Sequence, residues 1–483
     1  MNFLPKSMLI SAGIVLLASS CDLLDPVGRE VVFQNHSVTG DYLALTSAFS
    51  SVQVYPILSS EDVLENTPNF VYGSMADGAG LLANDDGTFT LINNIEADYS
   101  IARITLDETF RPVAGEYILN ATATAATAQC SGSLITPEEH GFGPWYLSGG
   151  EWGGDAKGVY RTDVTKDAAD ASTPDLLTNL GEWSTENAVV IGKRAYRNQT
   201  VLFIGDDQSA NDIPRGQLAM YVGDRGDLTG GNLYSFRVTT PGVEFEMDMV
   251  EGQEYDLEVV ELNQTGLDAL EEEAQEKGVI SFSRVEDIDW RRGNGAAQRE
   301  IYFVATGRKR DDLIGRGTVY GRIYKLTLND DDPTGAAKLE VVLDGDNLTG
   351  KAAAFHSPDN ILVTENYAYI QEDPNGYPDT PEKDHFARLY QYDLNTGELA
   401  VVLECDQELA ANDGVGTADR NWEITGMIDI SDIINQEETF ILITQNHGWE
   451  PEEGVFTDPL ANPDLENSRA EGSQLYVIRG LAR

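Results

Sequence analysis

Short apolar runs recur along most of this chain, Val201-Leu202-Phe203-Ile204, Ile301-Tyr302-Phe303-Val304 and Tyr367-Ala368-Tyr369-Ile370 among them. Each is bounded by Gly, Asn or Asp, residues that favour turns over continued regular structure. The pattern predicts short strands with tight connections and hence an all-β fold. Helical period is scarce. The clear instance spans about Gly266 to Lys277, with Thr265 as its expected cap and Gly278 as its stop.

The strands fall into a loose repeat: a polar cluster with a carboxylate, an apolar strand, a second polar cluster, then a strand of Gly-x-Leu-Tyr type. Glu186 precedes Val201–Ile204, Gly205-Asp206-Asp207 and Gly231-Asn232-Leu233-Tyr234. Glu286-Asp287, Ser357-Pro358-Asp359-Asn360 and Glu423-Ile424-Thr425-Gly426 open three further copies, and weaker ones begin at Asp77-Gly78 and Ser133-Leu134. Units of this kind predict a β-propeller of about six blades with long loop insertions and one short helix. A two-domain β-sandwich is the alternative.

In a propeller the innermost strand of each blade lines a central channel, so polar clusters at strand ends converge although they are distant in sequence. Glu96, Glu138, Glu139, Glu186, Asp206, Asp207, Glu286, Glu372 and Asp373 are the candidates. Carboxylates sharing one cavity repel unless cations lie between them. A multi-metal site rich in oxygen ligands follows, with Ca²⁺ the expected ion. Within Phe282–Trp290, Arg284 and Glu286 are two apart and share a face of an extended strand. That sets a guanidinium fork, suited to phosphate oxygens, beside metal-type carboxylates.

Charge narrows the choice of partner. The chain's 81 Asp and Glu against 32 Lys and Arg give −49 over 483 residues. Such a polyanion is repelled by nucleic acid and by anionic lipid surfaces, so no nucleic-acid partner is expected. Lys6, the apolar run Met8–Ala18 and Leu17-Ala18-Ser19-Ser20-Cys21 read as a lipoprotein signal, too short to span a bilayer. The expected organisation is a signal peptide over 1–20, a tether over 21–38 and one domain over 39–483, lipidated at Cys21. A monomer anchored by lipid to the cell envelope is the matching expectation. Cys130 and Cys405 could pair in an oxidising compartment, which spacing alone leaves open.

The five His show no zinc-hydrolase spacing, and neither a G-x-S-x-G elbow nor a P-loop is present. The acidic runs at Asn329–Asp332 and Asp344–Asn347 read as turns between strands. The insert His140–Tyr146 with Gly-rich Leu147–Gly154 is either a lid on the rim or a packed loop.

Taken in order, several motifs resemble those of the PhoX family of extracytoplasmic alkaline phosphatases, over about Phe70 to Val477. They are Tyr72-Gly73 with Asp77-Gly78, Asn94-Ile95-Glu96, Gly132–Glu139, Arg284-Val285-Glu286-Asp287, Ser357–Asn360 with Ile370–Asp373, and Glu423–Gly426 with Gln445–Gly448. The resemblance implies a propeller whose central site holds iron and calcium. It implies that Asn94 and Arg284 contact phosphate, that Glu286, Glu186 and the Glu138/Glu139 pair ligate metal, and that Glu372 and Asp373 add Ca²⁺ ligands. Ile95 replaces the family's His, and Pro137 stands where the family has the Cys that would ligate iron. Cys130 lies seven residues upstream, about 23 Å along an extended strand, and reads as a poor substitute. Ca²⁺ therefore leads over Fe³⁺. The function so implied is a metal-dependent phosphatase acting on small phosphate monoesters outside the cytoplasm, with Asn94, Arg284 and Glu286 as its catalytic group. A Ca²⁺-dependent phosphodiesterase or phytase-like enzyme and a non-catalytic surface-binding lipoprotein are the alternatives.

Overall fold

In the computed structural model the described residues are Met1 and 30–483, apart from 209, 375–377, 420–421 and 466–470. The expected signal peptide and the lipidation site Cys21 lie outside them.

The inner strands Ala76–Ala83, Thr127–Ile135, Thr185–Val190, Val285–Trp290, Pro358–Val363 and Glu423–Asp429 stand side by side in a ring. Each lies against the next, and the sixth against the first. From each, an antiparallel meander runs outward, as in Phe89–Ile95, Ser100–Leu106 and Pro112–Leu119 of the first blade. The outer strands of the third and fourth blades, Glu254–Leu262 and Ala337–Asp344, pair with each other and merge those blades into one nine-stranded sheet. Near its start the chain finishes what its end leaves open. Gln53–Ser59 adds to Gly472–Arg479 of the sixth blade, and Leu43–Leu45 adds to Leu399–Cys405 of the fifth. The architecture is an all-β propeller, and ring closure sets the sandwich alternative aside.

The blades are held by apolar layers between them. Between the third and fourth, Phe282, Phe303 and Tyr324 pack with ring centroids 4.9–5.1 Å apart among Val201, Phe203 and Leu339. Aromatic pairs at this spacing add to the free energy of burial. Inner strands are covered on both faces, so they lack the alternation of a half-buried strand. Every residue of Val285–Trp290 is buried, its acids included.

One device recurs in every inner strand. Two residues face a single residue of the neighbouring strand at Asp77-Gly78, Cys130-Ser131, Glu186-Asn187, Glu286-Asp287, Asp359-Asn360 and Gly426-Met427. A bulge of this kind bends the strand and re-aims side chains that pleating would otherwise alternate.

Two expectations need correction, and one question the spacing left open is answered. The tether is not free along its length, since Val31 and Phe33 are buried and Gln436 donates to the Val31 carbonyl. The helix spans Leu267–Glu276 with Gly266, not Thr265, at its N-cap; Gly278 follows at φ 68°, as a helix stop requires. Cys130 and Cys405 are both free and buried, the first facing the channel and the second packed in the layer between the last two blades.

Candidate active site

At one end of the ring the inner strands begin and the strands paired to them end. The bulges turn Asp77, Cys130, Glu186, Glu286 and Asp359 toward that end. Glu96, Glu151, Asp207, Asp373 and His447 arrive from the second strands or just beyond them, and Glu423 starts the sixth inner strand.

Arg284 immediately precedes its inner strand with φ 66°, and Met75 and Ser357 take the same left-handed conformation at the equivalent place in two other blades. Non-glycine residues pay for this backbone, and such strain gathers at functional sites. Here it turns the guanidinium onto two acids. Nε lies 2.8 Å from Asp207 Oδ1, and Nη2 lies 3.2 Å from Asp207 Oδ2 and 2.6 Å from Glu286 Oε1. Behind it, the buried Glu246 carboxylate accepts from the Ser283 and Thr318 amides at 2.8 and 2.9 Å and from the Tyr324 hydroxyl at 3.0 Å. The residue before Arg284 is thereby fixed from outside the channel.

Opposite, Glu96 accepts from the Trp152 indole and the Gln445 amide, each at 2.7 Å. The Cys130 thiol donates to Glu151 Oε2 at 3.1 Å. Glu186 takes the Ser131 amide at 3.0 Å. Asn360 donates to Ser131 Oγ at 2.6 Å, linking the fifth blade to the second across the floor of the site. His447 binds Glu471 at 2.8 Å and has Glu423 at 3.9 Å.

The electrostatics are one-sided. Burial, then mutual repulsion, holds the carboxyls of Asp77 and Glu186 far above the usual range. Burial also raises Glu286 and Glu423, although Arg284 draws Glu286 down; Asp359 is pushed up to about 7 by burial and Asp373. Asp207 is the exception: burial is the largest single influence and raises it, but the Arg284 charge together with side-chain hydrogen bonds involving Glu151, Arg284 and Glu286 outweighs burial and lowers it. The Asp77 Oδ1 atom is buried and has no hydrogen-bond partner among the described residues. Glu96, Cys130 and Glu151 bring ligand atoms within 4.8 Å of one another, as do Asp359, Asp373 and Glu423. Buried acids this crowded need cations to ionise together, so the residues present fit metal ions.

Of the acids expected at the centre, Glu96, Glu186, Asp207, Glu286 and Asp373 are there. Others are not. Glu138 and Glu139 lie in an exposed turn at the far end of the second inner strand, where Glu139 stands 3.9 Å from Arg292. Asp206 and Glu372 precede Asp207 and Asp373 by one residue and so point to the other face. Asp206 accepts from the Ser184 amide, and Glu372 takes the His356 and Arg388 amides inside the fifth blade. Asn94 is fully buried and gives its amide to the Cys130 and Ser131 carbonyls, the latter at 3.2 Å, so it supports the floor and offers no donor to a ligand.

Sequence reasoning passed over Asp77, Cys130, Glu151, Asp359, Glu423 and His447 as central groups. For Asp77, Cys130 and Asp359 a signal was available in an acid or thiol followed by Gly, Ser or Asn at the bulge of the unit; Glu151, Glu423 and His447 carry no such mark. Pro137 lies beyond the far end of the inner strand, whereas Cys130, which reads from its spacing as a poor substitute, lies at the near end with its thiol among Glu96 and Glu151.

The model of the alkaline phosphatase PhoX family matches residues 160–446, more than half of the chain. Among solved structures, Pseudomonas fluorescens PhoX in complex with vanadate, a transition state analogue, is 14% identical with a TM-score of 0.63, covering 94% of this chain and 98% of that one. At that identity the likeness speaks for the fold. The AfRom2 CNH domain, 9% identical with a TM-score of 0.35 over 89% and 100% of the two chains, is too distant to carry an argument. So is the catalytic domain of a Coprinopsis cinerea GH62 α-L-arabinofuranosidase, 13% identical with a TM-score of 0.31 over 66% and 92%. No curated protein matches the chain.

Proposed function

The chain belongs to the PhoX family of alkaline phosphatases, metal-dependent phosphoric ester hydrolases, and on that premise we propose that it releases phosphate from small phosphate monoesters at the carboxylate-lined end of its propeller. The observation that carries the reading is Arg284, held by Asp207 and Glu286 beside two clusters of three potential metal ligands. Glu96, Cys130 and Glu151 combine a thiol with carboxylates, a donor set suited to a transition metal such as iron. Asp359, Asp373 and Glu423 are all oxygen and suit Ca²⁺. Bound metal would supply Lewis acidity and an activated water at this site.

The chain's own residues do the rest. Arg284 has Nε and Nη2 engaged by Asp207 and Glu286, so Nη1 is the group it offers to the phosphoryl oxygens, where its charge meets the charge that develops. Asp207 and Glu286 keep that guanidinium oriented, and Glu246 holds the backbone that carries it. The Asn360–Ser131 hydrogen bond ties the fifth blade to the second beneath the acids. The signal-like residues 1–21 support export and anchoring of the single domain by lipid at Cys21, with the enzyme acting outside the cytoplasm.

The test is metal analysis of the purified protein with p-nitrophenyl phosphate hydrolysis measured before and after chelation. Bound metal, turnover, and loss of both on chelation are expected. Stoichiometric metal without monoester turnover would overturn the reading, and turnover of bis-p-nitrophenyl phosphate alone would make the enzyme a diesterase.

A further inference from the structure

The connection between the second and third strands of the sixth blade, residues 447–471, has no helix or strand among its described residues. It exceeds the roughly 12–15 residues beyond which an irregular connection is uncommon in a compact domain and usually functional. Its middle lies as a strap on the first blade. Phe456, Thr457, Asp458, Ala461 and Asn462 are buried. The Val71 amide donates to Asp458 at 3.1 Å, and the Ala121 amide donates to the Ala461 carbonyl at 2.9 Å.

One contact of the strap reaches toward the site. Thr457 Oγ1 donates to Asp98 Oδ1 at 2.7 Å, and the Ser74 amide donates to Asp98 Oδ2 at 3.3 Å. Asp98 is fully buried and Thr457 nearly so. Asp98 closes the 3₁₀ turn Glu96–Asp98, in which successive side chains point about 120° apart. Glu96 is thereby turned to the channel and Asp98 to the strap. The amides of Glu96 and Ala97 donate to the Met75 and Ser74 carbonyls at 2.9 and 3.3 Å, so strap, Ser74 and turn are joined. Gly73 completes the fit. A Cβ there would lie 2.2 Å from Asp98 Oδ2, which accounts for the glycine of Tyr72-Gly73.

We propose that Asp98 and Thr457 are positioning residues for Glu96, and that the strap thereby sets the metal affinity of the cluster formed by Glu96, Cys130 and Glu151. The inference rests on the metal-dependent reading of that cluster. Trp152 and Gln445 hold the two carboxylate oxygens of Glu96 from the sides, and Asp98 fixes the turn beneath them. Groups that orient a metal's ligands without touching the metal alter its affinity about 10- to 100-fold when removed. Coupling of this kind is reciprocal, so metal bound at the cluster tightens the strap on the first blade. The all-oxygen cluster of Asp359, Asp373 and Glu423 meets the strap at its root instead, where His447 stands 3.9 Å from Glu423. It serves as an internal reference for a change made at Thr457.

The experiment titrates the chelated full chain with Co²⁺ and, separately, with Ca²⁺, for the wild type, Thr457→Val and Thr457→Ser. Co²⁺ accepts thiolate ligands, so the thiolate-to-cobalt absorption band reports the Cys130 cluster. Thr457→Val keeps the side-chain shape and removes the hydroxyl. It is expected to weaken Co²⁺ binding about tenfold or more while Ca²⁺ binding stays within about threefold, and Thr457→Ser should restore Co²⁺ binding. Co²⁺ affinity unchanged beside a lower Tm, or Co²⁺ and Ca²⁺ affinities falling together, makes Thr457 a structural contact and overturns the inference. A wild type without any thiolate band overturns the metal reading of the cluster, and the inference with it. If Thr457→Val does not fold, deuterium uptake of the wild type decides. Co²⁺ should slow exchange over residues 449–462 and at the Val71 amide, and exchange that Co²⁺ leaves unchanged overturns the inference.

Discussion

Replacing Arg284 with Ala removes a guanidinium held by three close contacts, two to Asp207 and one to Glu286. Two consequences of different kind follow. A charge-assisted hydrogen bond to phosphate is worth roughly 1.5–3 kcal/mol, so losing the contact should lower kcat/KM for p-nitrophenyl phosphate about 10- to 150-fold. Separately, Asp207 and Glu286 lose their cation. Breaking one side of a buried pair costs about 3–5 kcal/mol when the other charge is left alone. Metal ions nearby would offset part of that cost, so the loss of stability should be larger in chelated protein than in loaded protein. Steady-state kinetics, inhibition by inorganic phosphate, denaturation with and without chelator, and metal content are the measurements. Weaker phosphate inhibition with metal retained is the expected signature. Turnover within about threefold of wild type would refute Arg284 as the phosphate contact, and loss of metal in parallel with activity would make it a structural part of the metal site.

Glu246→Ala removes the oxygen that accepts both the Ser283 and Thr318 amides and should release the turn before Arg284; KM and the phosphate inhibition constant are expected to rise together with metal content unchanged, and a change in kcat alone would count against positioning. Glu138→Gln/Glu139→Gln should leave metal stoichiometry and turnover as in the wild type, because both acids lie in an exposed turn; loss of metal in this variant would contradict the site described here. His140 is buried, accepts the Thr136 amide at 3.0 Å, and is held down to about 4 chiefly by burial. Its folded pKa is below the unfolded value near 6.5, so its contribution is complete above about 6.5 and is lost as pH falls toward 4, by up to about 3 kcal/mol. Urea denaturation at pH 4.5 and 7 should show that slope in the wild type and a smaller one in His140→Gln; equal slopes would remove His140 as its source.

The repeat was legible because each blade must bury its strands between neighbours, which imposes the same apolar run and Gly-x-Leu-Tyr strand every time. Arg284 and Glu286 were legible for a simpler reason, two residues on one face. What failed was the orientation of the acids. In Asp206-Asp207 and Glu372-Asp373 adjacent side chains point opposite ways, and composition cannot say which one meets the channel. Glu138 and Glu139 misled because their motif sits at the end of an inner strand, but at the end that leads away from the site. Cys130 was discounted by measuring its distance from Pro137, which presupposed that the centre lay at Pro137. Asp77 and Asp359 opened repeat units without being counted at the centre, because nothing in Asp-Gly or Asp-Asn announces the bulge that turns the acid toward the channel.

The sixth bulge breaks the pattern of the other five. Gly426 occupies it at φ 54°, and a Cβ there would come within 2.5 Å of the Asp77 carbonyl oxygen. No acid can be installed at that position without moving the first blade, so the near-equivalence of the blades stops at their chemistry. Elsewhere the bulged residue owes little to the apolar layers that join one blade to the next. A propeller built this way is a socket with five interchangeable contacts and one permanently blank, and its reactivity could be rewritten a contact at a time while the wheel that carries them stays the same.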